Sequence, residues 1–89
     1  MHQVNQTNQE RYSASHPLYQ MKIGEQACVC ALPSKDGMRR RLMELGLIAG
    51  TKVTCLHRSL SGDPTAYMIR GTVIALRKKD AAQIQVIPL

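Results

Sequence analysis

By residue type and spacing, Cys28-Val29-Cys30 and Cys55-Leu56-His57 are the segments of this chain best suited to chemistry. Thiolates and imidazole bind zinc and other thiophilic ions, and residues two apart share one face of a regular strand. A metal site would require those two strands to be neighbours, with the pairs facing each other. A closed structural zinc site, however, wants four ligands, commonly with a Cys-x-x-Cys spacing. Mononuclear ferrous iron prefers oxygen and imidazole ligands, and a free cysteine is also a common small core residue. Cys28, Cys30, Cys55 and His57 are therefore weak metal candidates, and no resident metal or cofactor is expected. The odd number of cysteines, in a chain whose N-terminus lacks a signal peptide's apolar centre, points to reduced thiols rather than a disulfide framework.

The run Arg39-Arg40-Arg41 with Met43 close behind offers a different chemistry. Guanidinium forks match carboxylates in paired geometry, and an apolar side chain rimmed by cations is a plausible interface anchor. Arg39, Arg40 and Met43 form the candidate partner-binding patch, set against the plainer reading of a solvated charged face. Gly62-Asp63-Pro64 lacks the further glycines, the lysine and the following helix start of a phosphate cradle, and reads as a structural turn. No nucleophile, base and orienting group can be assembled, and His57 is the only histidine inside the domain. The chain is not expected to be an enzyme.

These residues must be positioned by short elements. Residues 1–17 are rich in Gln, Asn, Ser and His without either period, and read as a polar, disordered tail closed by Pro17. His2 and His16 are then ordinary polar residues. After a turn at Gly24, a first strand is expected over 26–32. Its alternation puts Ala27, Val29 and Ala31 on one face and Cys28, Cys30 and Leu32 on the other, with the inner face left open. Ser34 or Asp36 can cap a helix over 37–45. At about 100° per residue, Met38, Leu42 and Leu45 share its apolar arc, with Arg41 at the edge packing its stem along the barrel. Gly46 suits the left-handed residue that ends a helix. Strands follow over 52–58, 65–70 and 72–77, the last two flanking Gly71 as a hairpin. A single helical turn is expected over 78–83 and a final strand over 84–87. The sum is one mainly β domain over 18–89, a small antiparallel barrel, partly open, with one inserted short helix.

Composition limits the partners. The 89 residues hold twelve Lys and Arg against six Asp and Glu, a formal charge of +6 that favours acidic surfaces, nucleic acid or an anionic membrane face. There is no Trp or Phe and only three Tyr, so stacking of bases on aromatic platforms is disfavoured. No apolar run approaches the roughly 20 residues that span a bilayer. A soluble, cytoplasmic protein is expected.

From Gly24 onward the chain resembles the FeoA family, small cytosolic accessory proteins of bacterial ferrous iron transport. The resemblance rests on Gly24, Arg41-Leu42, Leu45-Gly46-Leu47, Gly50, Gly62-Asp63-Pro64, Leu76-Arg77, Ala81 and the closing Ile84 and Val86, in that order. It implies an SH3-like β-barrel with a helix inserted after its first strand. It also implies partnership with FeoB, a membrane permease carrying a cytosolic GTP-binding domain, so that any membrane association is indirect. The polar N-terminal extension and Cys28-x-Cys30 depart from the common family pattern.

Two other classes compete with such a binding module. A basic nucleic-acid-binding SH3-like domain is suggested by the charge, but Lys52, Arg58, Arg70, Arg77 and Lys78-Lys79 are scattered and the stacking aromatics are missing, so nucleic acid is not the expected partner. A thiol-based metal sensor would depend on Cys28 and Cys30. A small barrel with exposed strand edges could also self-associate weakly.

Overall fold

The computed structural model describes residues 14–34 and 36–89, so most of the expected tail lies outside the described residues. Six strands form one antiparallel sheet: β1 (His16–Pro17), β2 (Gln26–Ala31), β3 (Lys52–Arg58), β4 (Thr65–Ile69), β5 (Thr72–Leu76) and β6 (Gln85–Pro88), in the order β1-β6-β2-β3-β4-β5. Helix α1 (Asp36–Glu44) follows β2, and the short α2 (Lys78–Ala81) precedes β6. The expected architecture is present, with one correction at its start. His16 and Pro17, assigned above to the tail, pair with Val86 and Gln85. The strand expected to be first is thus the second.

The sheet curls around its apolar face. The 3₁₀ turn Leu18–Gln20 after β1 is reached from the far strands: Tyr67 on β4 donates to the Leu18 carbonyl at 3.5 Å, and Arg58 on β3 donates to the carbonyls of Tyr19 and Met21. β1 and β5 remain unpaired with each other, so the barrel is partly open. Inside it, Leu18, Met21, Val29, Leu42, Tyr67 and Val86 are among the fully buried side chains. Burial pushes the Tyr67 hydroxyl pKa up to about 12, with the Cys55 side chain adding to the shift.

Two β-bulges decide which residues face this core. Val29 pairs with Val86 and Ala31 with Gln85, leaving Cys30 as the extra residue. Ala27 and Val29 point in, but Ala31, expected on their face, is turned out. On β3 the register shifts between Cys55 and His57. Cys55 is wholly buried and His57 exposed, so the two do not share a face as a regular strand would require.

The end of α1 carries the local logic most clearly. Gly46 has φ +98°, its N–H donates to the Met43 carbonyl at 3.0 Å, and the Leu47 N–H donates to the Leu42 carbonyl at 3.0 Å. This is the paired-bond helix stop that a left-handed glycine permits. Leu42 and Leu47 are buried by it, whereas Leu45, expected in the apolar arc, is 38% exposed. The chain reverses at Gly46, and the inward position passes from Leu45 to Leu47.

Candidate functional site

The outward face of α1 is where the expected partner-binding residues meet. Arg39 and Met43 lie four residues apart, hence on one side of the helix. Arg39, Arg40, Met43 and Glu44 line one depression, and Arg39 and Met43 also border a groove with Cys30, Leu32 and Ile48. Met43 is 44% and Ile48 36% exposed. The groove is therefore an apolar floor from three segments with the Arg39 guanidinium at its border, and Arg40 lies in the adjoining depression on the helix.

Leu32 and Ile48 escape a reading by helix face, because they come from the end of β2 and the turn after α1. Ile48 follows from the helix stop: Gly46 ends the helix, Leu47 turns in to the core, and the next side chain turns out. Arg41 belongs elsewhere. Its guanidinium sits 3.3 Å from Asp80 Oδ2, joining α1 to α2, and also donates to Met38 Sδ. Asp80 is nearly buried, and its Oδ1 has no hydrogen-bond partner among the described residues.

The four metal candidates are not brought together. Cys55 is enclosed, its thiol 3.9 Å from the Met21 carbonyl, while Cys28 and Cys30 are half-buried and His57 points to solvent. Among the described residues no three His, Cys, Asp or Glu side chains are grouped to hold an ion. Burial raises the Cys30 thiol pKa, and the neighbouring Cys28 raises it further; burial likewise raises that of Cys55. Both shifts disfavour the thiolate, the form that ligates metal. Cys30 instead forms part of the groove beside Met43.

Gly62-Asp63-Pro64 sits in the β3–β4 loop. There the Asp63 carboxylate accepts from the Lys78 backbone N–H at 2.8 Å, and the Ser59 N–H donates to the Pro64 carbonyl at 3.1 Å. The loop is thus fastened to the start of α2 as a structural turn, with its acidic group engaged in capping.

Comparison with known proteins places these features in a family. The FeoA domain family model matches residues 16–88. The chain is 30% identical over 69 residues to the Fe(2+) transport protein A/Fe(2+) transporter FeoB fusion protein of Porphyromonas gingivalis; the match covers 78% of this chain and only 8% of that protein's length. Among solved structures, the FeoA-like protein of Clostridium acetobutylicum superposes with a TM-score of 0.79 at 29% identity, covering 85% of this chain and 88% of its own. The FeoA of Stenotrophomonas maltophilia, solved in complex with zinc and described as a procaryotic SH3 domain protein, gives 0.70 at 27% identity over 79% and 87% of the two chains. The partly open barrel with its inserted helix is thus an SH3-like fold, and on a family match that takes in every strand from β1 to β6 the chain belongs to the FeoA family.

Proposed function

We propose that this chain is a small cytoplasmic accessory protein of bacterial ferrous iron uptake that acts by binding the cytosolic GTP-binding region of a FeoB-type permease, not by catalysis. The observation that carries this reading is the fusion of a related domain to FeoB in the P. gingivalis protein. A covalent link supplies an effective concentration on the order of millimolar for short linkers. Where the two proteins are separate chains, affinity must replace that proximity, hence a docking surface. The α1 face supports such a role: Arg39 and Arg40 suit a carboxylate-bearing partner, and Met43 with Ile48 supplies apolar area that water would leave on binding. Among the described residues no helix is long and apolar enough to cross a membrane, in keeping with a protein that reaches the bilayer through its partner.

Calorimetric titration into the soluble GTP-binding domain of the cognate permease tests the proposal, with GDP and GTP in turn and with and without ferrous iron under reducing conditions. Saturable binding is expected, weakened at least about fivefold by Met43→Ala or Arg39→Ala if these residues anchor the contact. Unaltered binding by both variants would remove the α1 face from the reading. Absence of binding in every condition would remove the soluble domain as partner. A titration with duplex DNA at two salt concentrations separates the basic-module alternative, whose affinity would fall steeply with salt.

A further inference from the structure

The hairpin of β4 and β5 leaves one strand edge without a partner among the described residues, and its register says which groups are unused. The loop Arg70-Gly71 has φ of +52° and +81°, a two-residue turn of the primed type that matches strand twist. In such a hairpin the closing pair, here Ile69 and Thr72, exchanges both backbone hydrogen bonds. The alternation of antiparallel pairing then makes Tyr67 with Ile74 and Thr65 with Leu76 the other bonded pairs. The intervening residues of β5, Val73 and Ala75, point their N–H and C=O groups away from β4. β5 ends the sheet, and neither residue's backbone bonds to any other described segment. Val73 is 56% exposed, and Thr72 and Ala75 are exposed beside it.

Natural sheets blunt such edges with lysine, proline or a bulge within the strand. Thr72-Val73-Ile74-Ala75-Leu76 has none of these: it is apolar apart from Thr72, rich in β-branched residues, and in unbroken register with β4. The charges stand at its ends. Arg70 precedes the strand and Arg77, Lys78 and Lys79 follow it, with no Asp or Glu from 70 to 79. This placement discriminates between occupants. In a second copy of the chain, antiparallel pairing of Val73 with Ala75 would set Arg70 opposite Lys78 and crowd Arg77 against the turn that carries the other Arg70. Like charges so placed destabilise a pair. An extended segment with carboxylates at its ends meets opposite charge at both.

We infer that the β5 edge is a second docking site, which takes an extended acidic segment of a partner protein as an added strand through the backbone groups of Val73 and Ala75. Main-chain bonds supply the attachment and the flanking cations select for acidic ends, the division of labour found where peptides extend a sheet. The site is separate from the α1 groove and stands whether or not the groove binds a permease.

The test uses the full-length protein, labelled with ¹⁵N, and a synthetic capped peptide, Glu-Glu-Thr-Val-Thr-Val-Thr-Glu-Glu. Saturating peptide is expected to slow hydrogen exchange of the Val73 and Ala75 amides at least tenfold, with no comparable change at Arg39 or Met43. The same peptide with lysine in place of glutamate should bind at least tenfold more weakly. A third peptide, N-methylated at the amides that would face β5, cannot donate those bonds and should lose binding while leaving the protein unaltered. Ala75→Pro removes an outward N–H that β4 does not use and should also abolish binding. If that variant fails to fold, the N-methylated peptide gives the same answer. The inference is overturned if the acidic peptide does not bind at millimolar concentration, or if the N-methylated peptide binds equally well, which would mean electrostatic attraction alone. It is also overturned if the two amides are already protected in the free protein in a concentration-dependent way, which would make a second copy the occupant.

Discussion

Replacing Gly46 by alanine tests the account of how α1 ends and how the groove is formed. Two costs are separable. The first is conformational: a β-carbon at φ +98° is strained, by about 2 kcal/mol on the scale for left-handed L-residues. The second is contact: the added Cβ would sit 3.0 Å from Arg70 Cδ, inside the roughly 3.5–4.0 Å preferred between carbons. Arg70 is itself held at φ +52° in the hairpin turn, so relief must come from its side-chain torsions, at about 1 kcal/mol. Gly46→Ala should therefore cost about 3 kcal/mol. For a domain of this size that is a fall in Tm of about 12–24 °C. Gly50 is the internal control, because its φ is +92° but nothing lies within 4 Å of an added Cβ. Gly50→Ala should show only the conformational cost, about 2 kcal/mol. In an Arg70→Ala background the Gly46→Ala cost should fall to the Gly50→Ala value. Urea denaturation followed by circular dichroism measures all four variants, with comparison of midpoints valid where the slope is unchanged. Equal costs at Gly46 and Gly50, insensitive to Arg70, would refute the contact between the α1 stop and the β4–β5 turn.

Leu42→Ala should cost about 3 kcal/mol as a fully buried core truncation, and the half-exposed Leu45→Ala under about 1 kcal/mol, by the same denaturation assay. Alkylation of the folded protein with iodoacetamide, followed by peptide mass spectrometry, should label Cys28 and Cys30 and leave Cys55 unmodified until denaturant is added, since Cys55 is buried whereas the other two are half-buried. The raised pKa of Tyr67, about 12 against 10.0, means that the folded state holds its phenolic proton more tightly than the unfolded state. Its contribution to stability should be complete below pH 10 and decline as pH rises toward 12, with Tyr67 ionising late in an ultraviolet titration.

Local signals carried much of this structure. Gly24, Gly46 and Gly71 sit at turns, the helix falls within a residue of its expected limits, and the strand order in sequence follows the breaks between apolar runs. What escaped was set by pairing across the sheet. A period-two reading assumes regular strands, so the bulges at Cys30 and beyond Cys55 silently exchanged faces: Ala31 went out, and His57 parted from Cys55. The two-residue β1 has too little pattern of its own to be read and exists because β6 offers it an edge. Leu45 satisfied the helical period and still lost its inward place, since the glycine stop bent the path before the next turn could close. The candidate groove was legible only as far as one helix carried it. Arg39 and Met43 fall on a common face by spacing, whereas Leu32, Ile48 and Cys30 join them through tertiary packing, and Asp80 meets Arg41 across 39 residues of chain.

The pairing of β1 with β6 bears on how the domain answers mechanical load. His16 lies opposite Val86 and Pro17 opposite Gln85, so the chain enters the barrel alongside its last strand, and residues 14 and 89 lie toward the same end of that pair. Tension applied through residues 14 and 89 would peel the two strands apart one bond at a time instead of shearing all their bonds together. Sheets opened in that zipper geometry yield at low force. Anchored at both ends within a longer polypeptide, the domain would give first at β1, leaving β6 held by β2 and the core closed, a compliant joint in front of a rigid body.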